Sequence, residues 1–481
     1  MYYHGHNLRL QIFRFFTILV CRACTTGAGI PGVSGSAPFL LDIKSIRFES
    51  LRGEAAMETT EKSHGRRAIV IGGSIASLFV GAFLRRIGWQ VDIYERSSIE
   101  LIGRGVGIFA THLELLEALD KCGAGTVDIG VIVYKRITFD RRGDVIAEKP
   151  QLQIVTSWDR LRQVLLRAID RQRYHFGYVF ERVEQDGSGV QVYFANGRTE
   201  RADLLVGCDG FRSTVRAHLA PEVQPIYSGY YIWRGAPNES DLSPDTRRTM
   251  FPYFSFFLGD QIQALGYPIS GVDDELRAGH RRYNFGWYRV ADSAKLKHMC
   301  ADDNGREYEF GVPPPLVRKD LIAQMRAEAE NLLPPQYLDC LRHIDQPFFT
   351  PDYDFCSPKL MFGRVALVGD AASTPRPHMG FGVSKAGAEA QALAEALSNY
   401  HDIDRASLPT TQRDSHSVNA LSRTGASSVC SSVSGSKPMK IASSQNRYKA
   451  PKASWIGSQS RISWLHNLNL AASHAATRRS W

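Results

Sequence analysis

No apolar run in this chain approaches the roughly 20 residues needed to cross a bilayer, which leaves no reason to expect a membrane-spanning helix. Internal repeats are absent, and with them a repeat array. The eight cysteines, Cys21, Cys24, Cys122, Cys208, Cys300, Cys340, Cys356 and Cys430, share no repeated spacing. The close pair Cys21/Cys24 lacks the second pair or the histidines that a zinc site needs, so no metal site is expected. Unpaired thiols suit a reducing compartment, and the chain reads as cytoplasmic.

A single-signed binding face is also missing, although the net charge is +9. Residues 1–56 hold 6 Lys/Arg against 3 Asp/Glu and residues 401–481 hold 11 against 3, so the middle of the chain carries −2. Basicity confined to the ends argues against a nucleic-acid partner. Arg9, Arg14 and Arg22 precede the first acidic residue, Asp42, which leaves mitochondrial or other targeting by residues 1–56 open. Met57 is the competing start, a short polar lead into a strand.

What is present begins at Arg66. The apolar stretch Ala68–Ile71 reads as a strand, Ala76–Ile87 as a helix closed by Gly88, and Gln90–Tyr94 as a second strand. Together they form a βαβ unit of about 30 residues. Between strand and helix stand Gly72, Gly73, Ser74, Ile75, Ala76 and Ser77. A dinucleotide turn uses three glycines for the sharp turn, for close approach to pyrophosphate and for helix–strand packing. Only the first is glycine here, with the small Ser74 and Ser77 at the others. The helix N-terminus would still meet phosphate, and Glu95, 23 residues after Gly72, is spaced to accept from ribose hydroxyls. An ordinary βα turn would look much the same.

Two further strands end in acid and glycine. Ala202–Gly207 runs into Asp209-Gly210 and a helical turn starting at Ser213; a plain capped turn competes with a ligand site there. Gly363–Val368 runs into Gly369-Asp370, then a loop with Pro377, His378, Gly380 and Gly382, then a helix over Val383–Leu397. Its N-terminal dipole can hold negative charge, Asp370 can accept from sugar-alcohol hydroxyls, and the glycine backbone can approach a flat ring.

These three motifs, in this order and about 135 and 160 residues apart, resemble the para-hydroxybenzoate hydroxylase class of FAD-dependent aromatic-ring monooxygenases. GGSIAS, GRGVGI (Gly103–Ile108), TSWDRLRQVLL (Thr156–Leu166), YYIWRG (Tyr230–Gly235), RRYNFGWYR (Arg281–Arg289) and GDAASTPRPHMGFGVSKA resemble its 2,6-dihydroxypyridine 3-monooxygenase branch. The likeness spans about 335 residues. It implies an α/β fold: a Rossmann-type FAD-binding domain with an inserted, mostly antiparallel β-sheet substrate domain. The expected division is an N-terminal extension (1–63), FAD-binding parts at 64–225 and 351–400, a substrate sheet at 226–350, and a Ser/Thr-rich basic tail at 401–481, too poor in large apolar side chains to offset its ordering entropy.

The resemblance places Gly72, Gly73, Ser74, Ile75, Ala76, Glu95 and Arg96 at the ADP half of FAD and Arg104 and Gly105 near the pyrophosphate. Asp209 and Gly210 would serve FAD and the incoming nicotinamide nucleotide, Gly369 and Asp370 the ribityl chain, and Pro377, Gly380 and Gly382 the isoalloxazine ring. NADPH or NADH would reduce FAD, and O2 would add to give a flavin C4a-hydroperoxide that hydroxylates a hydroxylated aromatic or N-heteroaromatic ring. His378 is the candidate proton-handling group, and Trp233, Tyr283 and Trp287 the candidate substrate contacts, although alternating aromatics are also what a buried strand requires. A homodimer is left open.

Several features depart from the pattern. Ser77 replaces the third glycine and Ala388-Glu389-Ala390 replaces an acidic pair before alanine, whereas Trp158, where the wider class often has arginine, is what the branch implies. Residues 406–445 match nothing expected beyond the last helix, as in a misjoined or read-through C-terminus. An FAD-binding protein with lost or impaired activity is therefore the alternative. A plain NAD(P)-dependent dehydrogenase fits worse, because it would not need the Gly-Asp motif and its Pro/Gly loop.

Overall fold

The computed structural model describes residues 65–101, 107–109, 113–260, 262–377, 380–399 and 403. In chain order it opens with β1 (Arg67–Ile71), α1 (Ile75–Arg86) and β2 (Gln90–Glu95). α1 ends where a left-handed residue is required: Gly88 has φ +86°. The Gly88 N–H donates to the Arg85 carbonyl at 3.0 Å and the Trp89 N–H to the Leu84 carbonyl at 3.1 Å, the paired bonds of a Schellman cap.

Next come β3 (Gly107–Phe109), α2 (Leu113–Lys121), the long hairpin β4 (Val131–Phe139) and β5 (Val145–Ser157), and α3 (Trp158–Leu166). Ser157 caps α3 by accepting from the Arg160 N–H at 3.0 Å. The strands β6 (Tyr174–Phe176), β7 (Phe180–Asp186), β8 (Gly189–Phe194), β9 (Thr199–Ala202) and β10 (Leu204–Gly207) precede α4 (Thr214–Leu219). They are followed by β11 (Ile226–Gly235), α5 (Pro244–Met250), β12 (Tyr253–Gly259), β13 (Ile262–Ile269), β14 (Arg282–Val290), α6 (Ser293–Met299), α7 (Lys319–Leu332) and α8 (Pro335–Arg342). The last elements are β15 (Phe348–Cys356), β16 (Met361–Phe362), β17 (Val365–Leu367), β18 (Ser373–Thr374) and α9 (Gly382–Asn399).

Among the described residues the strands form three sheets. The first has the order β16-β17-β10-β1-β2-β6 and is parallel apart from β16. One face is packed by Leu78, Phe79 and Leu84 of α1 and by Leu393 and Leu397 of α9. The three-stranded sheet β7-β8-β9 contributes Val190, Val192 and Phe194 to a separate cluster with Ile69, Leu205 and Leu367. The large sheet has the order β18-β15-β11-β14-β13-β12-β4-β5-β3 and is antiparallel except where β12 meets β4.

The α/β class and the mostly antiparallel second sheet agree with expectation. The anticipated boundary at 225/226 does not separate the sheets, however: β3, β4 and β5, between residues 107 and 157, join the large sheet, and β15 extends it to Cys356. Among the described residues no helix is long and apolar enough to cross a membrane.

Candidate cofactor and substrate site

The parallel register decides where the site lies. β1, β10 and β17 are adjacent, with Ile71 opposite Gly207 and Gly207 opposite Leu367. Gly72, Cys208-Asp209 and Val368-Gly369-Asp370 therefore leave the sheet side by side at its carboxyl edge, where open α/β sheets bind ligands. Backbone bonds tie the ends together: Cys208 N–H donates to Ile71 O at 2.8 Å and Val368 N–H to Gly207 O at 3.0 Å.

Glycine is required at the first end. Gly72 has φ +105°, and a Cβ there would stand 2.5 Å from the Cys208 carbonyl oxygen. A Cβ on Gly73 would stand 1.9 Å from the Tyr174 hydroxyl, which donates to the Gly73 carbonyl at 2.8 Å. Ser74 is the N-cap of α1, its side chain makes no capping bond, and the first turn holds no acidic residue. The positive end of the helix dipole thus faces the turn with no acid in the helix's own first turn to offset it. Ser77, at the third fingerprint position, is fully buried within α1. Glu95 is buried at the end of β2, and its Oε1 accepts from the Ser97 N–H at 2.9 Å; Arg96 beside it is exposed.

The second end holds Asp209. Its Oδ2 accepts from the Thr214 N–H (2.6 Å), the Thr214 hydroxyl (2.9 Å) and the Val215 N–H (3.1 Å), while its buried Oδ1 has no partner among the described residues. Gly210, at φ +83°, makes the exit, and Ser213 caps α4 through the Arg216 N–H at 2.9 Å.

At the third end Gly369 has φ +70°, and a Cβ would meet that of Ala76 at 2.6 Å. The Asp370 side chain is open to solvent, yet the protein around it pushes its carboxyl above the usual range, with Lys385 opposing. Pro377 is half-buried, and Gly380, with φ +68°, donates its N–H to the Pro377 carbonyl at 3.0 Å. Gly382 begins α9 with open space where a Cβ would be.

These groups fit FAD. An orphaned buried carboxylate oxygen, a helix start without an acid in its first turn, and a solvent-open acid at the third strand end supply acceptors for hydroxyls and a cradle for pyrophosphate. Comparison with known proteins points to the same cofactor. The FAD binding domain family matches residues 66–243, and an FAD binding domain-like family matches residues 227–354. The 2,6-dihydroxypyridine 3-monooxygenase of Paenarthrobacter nicotinovorans is 33% identical over 339 residues, 70% of this chain and 84% of the relative. The chain belongs to the FAD-dependent aromatic-ring monooxygenases of the para-hydroxybenzoate hydroxylase class.

Other relatives of this monooxygenase agree. The FAD-dependent urate hydroxylase of Klebsiella pneumoniae is 26% identical over 349 residues, 70% of this chain and 83% of the relative. The solved 2,6-dihydroxypyridine-3-hydroxylase from Arthrobacter nicotinovorans superposes with a TM-score of 0.68 at 29% identity, covering 77% of this chain and 91% of that one.

The substrate contacts expected from sequence need correction. Trp233, Tyr283 and Trp287 are all but inaccessible and belong to the core between the large sheet and α5–α8, with Met250, Leu321 and Tyr337. Tyr283 spends its hydroxyl on Ser255 at 2.8 Å. Side chains alternate across a strand, so the opposite face carries Tyr230, Arg234, Tyr288 and Asp352. That second face adjoins the Pro/Gly loop after Gly369-Asp370, because Arg376 Nε donates to Asp354 Oδ2 at 2.6 Å from the same side of β15. His378, Arg104 and Gly105 lie outside the described residues, as does the tail beyond Ile403.

Sequence reading assigned no role to five residues that shape these strand ends. Tyr174 fastens Gly73, and Arg162, 1% exposed, donates to the Tyr174 hydroxyl at 3.2 Å. Arg216 crosses between motifs, donating to the Phe211 carbonyl at 2.8 Å and the Ala371 carbonyl at 3.1 Å. Lys385 and Glu389 hold Gly369. Only Lys385 and Glu389 carried a local signal, their four-residue spacing.

Proposed function

We propose that this monooxygenase uses O2 and NADPH or NADH to hydroxylate a hydroxylated N-heteroaromatic or aromatic ring on FAD bound across the three strand ends. The in-register convergence of Gly72, Asp209 and Gly369-Asp370 carries the reading. The likeness to a 2,6-dihydroxypyridine 3-monooxygenase supports the choice of ring.

FAD supplies the chemistry that protein side chains cannot: it takes hydride from the nicotinamide and activates oxygen for transfer. The chain's own part is binding, orientation and protection from water. Gly72, Gly73 and the start of α1 at Ser74, Ile75 and Ala76 take the pyrophosphate, and Glu95, beside Arg96, takes the adenosine ribose. Asp209, through its free Oδ1, and Asp370 receive hydroxyl donors from the nucleotide and the ribityl chain. Pro377, Gly380 and Gly382 border the flat ring, with the polar and aromatic face of Tyr230 and Tyr288 as the opposing wall. A small aromatic or heterocyclic molecule is the organic substrate.

Purified protein should be yellow, with absorbance near 450 nm. It should oxidise reduced nicotinamide faster in the presence of 2,6-dihydroxypyridine and form hydroxylated product in step. Colourless protein that stays so after incubation with FAD, or nicotinamide oxidation never coupled to hydroxylation of any hydroxypyridine or phenol, refutes the reading.

A further inference from the structure

Adjacent strands β11 and β15 send Tyr231, Trp233 and Phe349 into the sealed core. On the other face, beside the flavin loop, they place a buried carboxylate with no basic side chain bonded to it among the described residues. Asp352 is 4% exposed and accepts from the Ser228 hydroxyl at 2.8 Å and from the Tyr230 hydroxyl. Arg376, whose charge reaches Asp352, is paired with Asp354 at 2.6 Å. A buried, hydroxyl-bonded acid is costly unless neutral or used, and its partner Tyr230 is only half-buried.

Resting on the monooxygenase reading, we propose that Tyr230 and Asp352 are the proton-accepting end of the substrate pocket. Tyr230 takes the proton of an acidic O–H or N–H on the ring as its own phenolic proton passes to Asp352. The O–H or N–H bond of the substrate and the O–H bond of Tyr230 break, O–H bonds form at Tyr230 and Asp352, and no electrons change owner. The ring is left anionic and electron-rich, the state from which it attacks an electrophilic oxygen most readily, and the negative charge moves off the buried carboxylate. The substrate class is thereby narrowed to rings with an ionisable donor, such as hydroxypyridines and their N–H tautomers.

The groups facing Asp352 suit this task. Burial pushes its carboxyl up to about 6, with Asp354 adding to the rise and Tyr230, Ser228 and Arg376 opposing it. Tyr227 and Tyr288 also feel its charge. Near pH 7 the group is still mostly ionised and able to accept.

The test uses the full chain with its flavin and 2,6-dihydroxypyridine as the probe, in the wild type and in Asp352→Asn, Asp352→Glu and Tyr230→Phe. Product formation is followed from pH 5 to 9, and ring ionisation is read from the ultraviolet spectrum of the bound probe. Expected are an acid limb near pH 6 in the wild type, its loss in Asp352→Asn with kcat down about tenfold or more and KM little changed, and its return in Asp352→Glu. Tyr230→Phe reports the same loss should Asp352→Asn fold poorly. An active wild type whose Asp352→Asn and Tyr230→Phe variants keep its rate and pH profile overturns this proposal alone. A wild type without flavin or without hydroxylation overturns the monooxygenase reading, and this proposal with it.

Discussion

Lys385 and Glu389 grip opposite ends of one residue. Lys385 Nζ donates to the Gly369 carbonyl at 2.8 Å, and the Gly369 N–H donates to Glu389 Oε2 at 2.7 Å. The two side chains pair with each other at 3.0 Å, both buried. The left-handed Gly369 is thus strapped to α9, and Asp370 next to it is held at the carboxyl edge of the sheet.

Removing one partner leaves the other buried and uncompensated. Burial already pushes the Glu389 carboxyl up, and Lys385 is the main opposing influence. Lys385→Met should cost about 3–5 kcal/mol of stability and weaken FAD binding, whereas Lys385→Met combined with Glu389→Leu should recover much of the stability. Thermal melting with and without added FAD checks both.

Gly72→Ala should strip the flavin. The new methyl meets the Cys208 carbonyl oxygen at 2.5 Å in a left-handed backbone, a conformation that costs a residue with a side chain about 1–3 kcal/mol even where there is room. The ratio of absorbance at 450 and 280 nm in purified protein should fall to a small fraction of the wild-type value.

Asp209→Asn separates structure from binding. An amide oxygen still accepts from Thr214 and Val215 as Oδ2 does, so α4 keeps its cap, but the free acceptor Oδ1 becomes a donor. Loss of a charged hydrogen bond is worth about 1.5–3 kcal/mol, or roughly ten- to a hundredfold in affinity. Fluorescence titration of apoprotein with FAD should show that loss, with a melting temperature within a few degrees of the wild type.

Asp352 gives a pH dependence whose sign follows from its raised carboxyl. Its ordinary value is 3.8 and the folded value about 6, so the folded protein binds this proton more tightly than the unfolded chain does. The contribution is fully present below pH 3.8 and is lost as pH rises through 6. Above pH 7 the ionised carboxylate therefore burdens the fold by about 2–3 kcal/mol. Asp352→Asn should melt at a higher temperature than the wild type at pH 7.5, with the two curves converging near pH 4.

Where chemistry is local, the sequence was informative. Gly72, Gly88 and Glu95 sit where strand, helix and spacing put them, because a tight turn and a helix stop leave few alternatives. The glycine turn after β1 and the two acid-glycine strand ends also announced themselves, although only the parallel register made them neighbours. The aromatic strands were legible as strands but not as to face: Trp233 and Tyr230 alternate along one segment, and which phase is sealed depends on α7 and α8, about a hundred residues away. Lys385 and Glu389 read as a commonplace helical pair until burial and Gly369 are seen. Tyr174 and Arg162 gave no signal, since their partners are backbone and hydroxyl groups distant in the chain.

The chain passes repeatedly between its two principal sheets, entering the large one at β3, leaving after β5, returning at β11, leaving after β15 and touching it again at β18. Such interlacing forbids module exchange: a fragment cut at any one loop would carry strands whose neighbours stayed behind. Recombination between relatives should therefore yield sound protein only when both sheets are inherited together. Tightening around the nucleotide should in turn protect the distant β4–β5 hairpin from proteases as effectively as it protects β1.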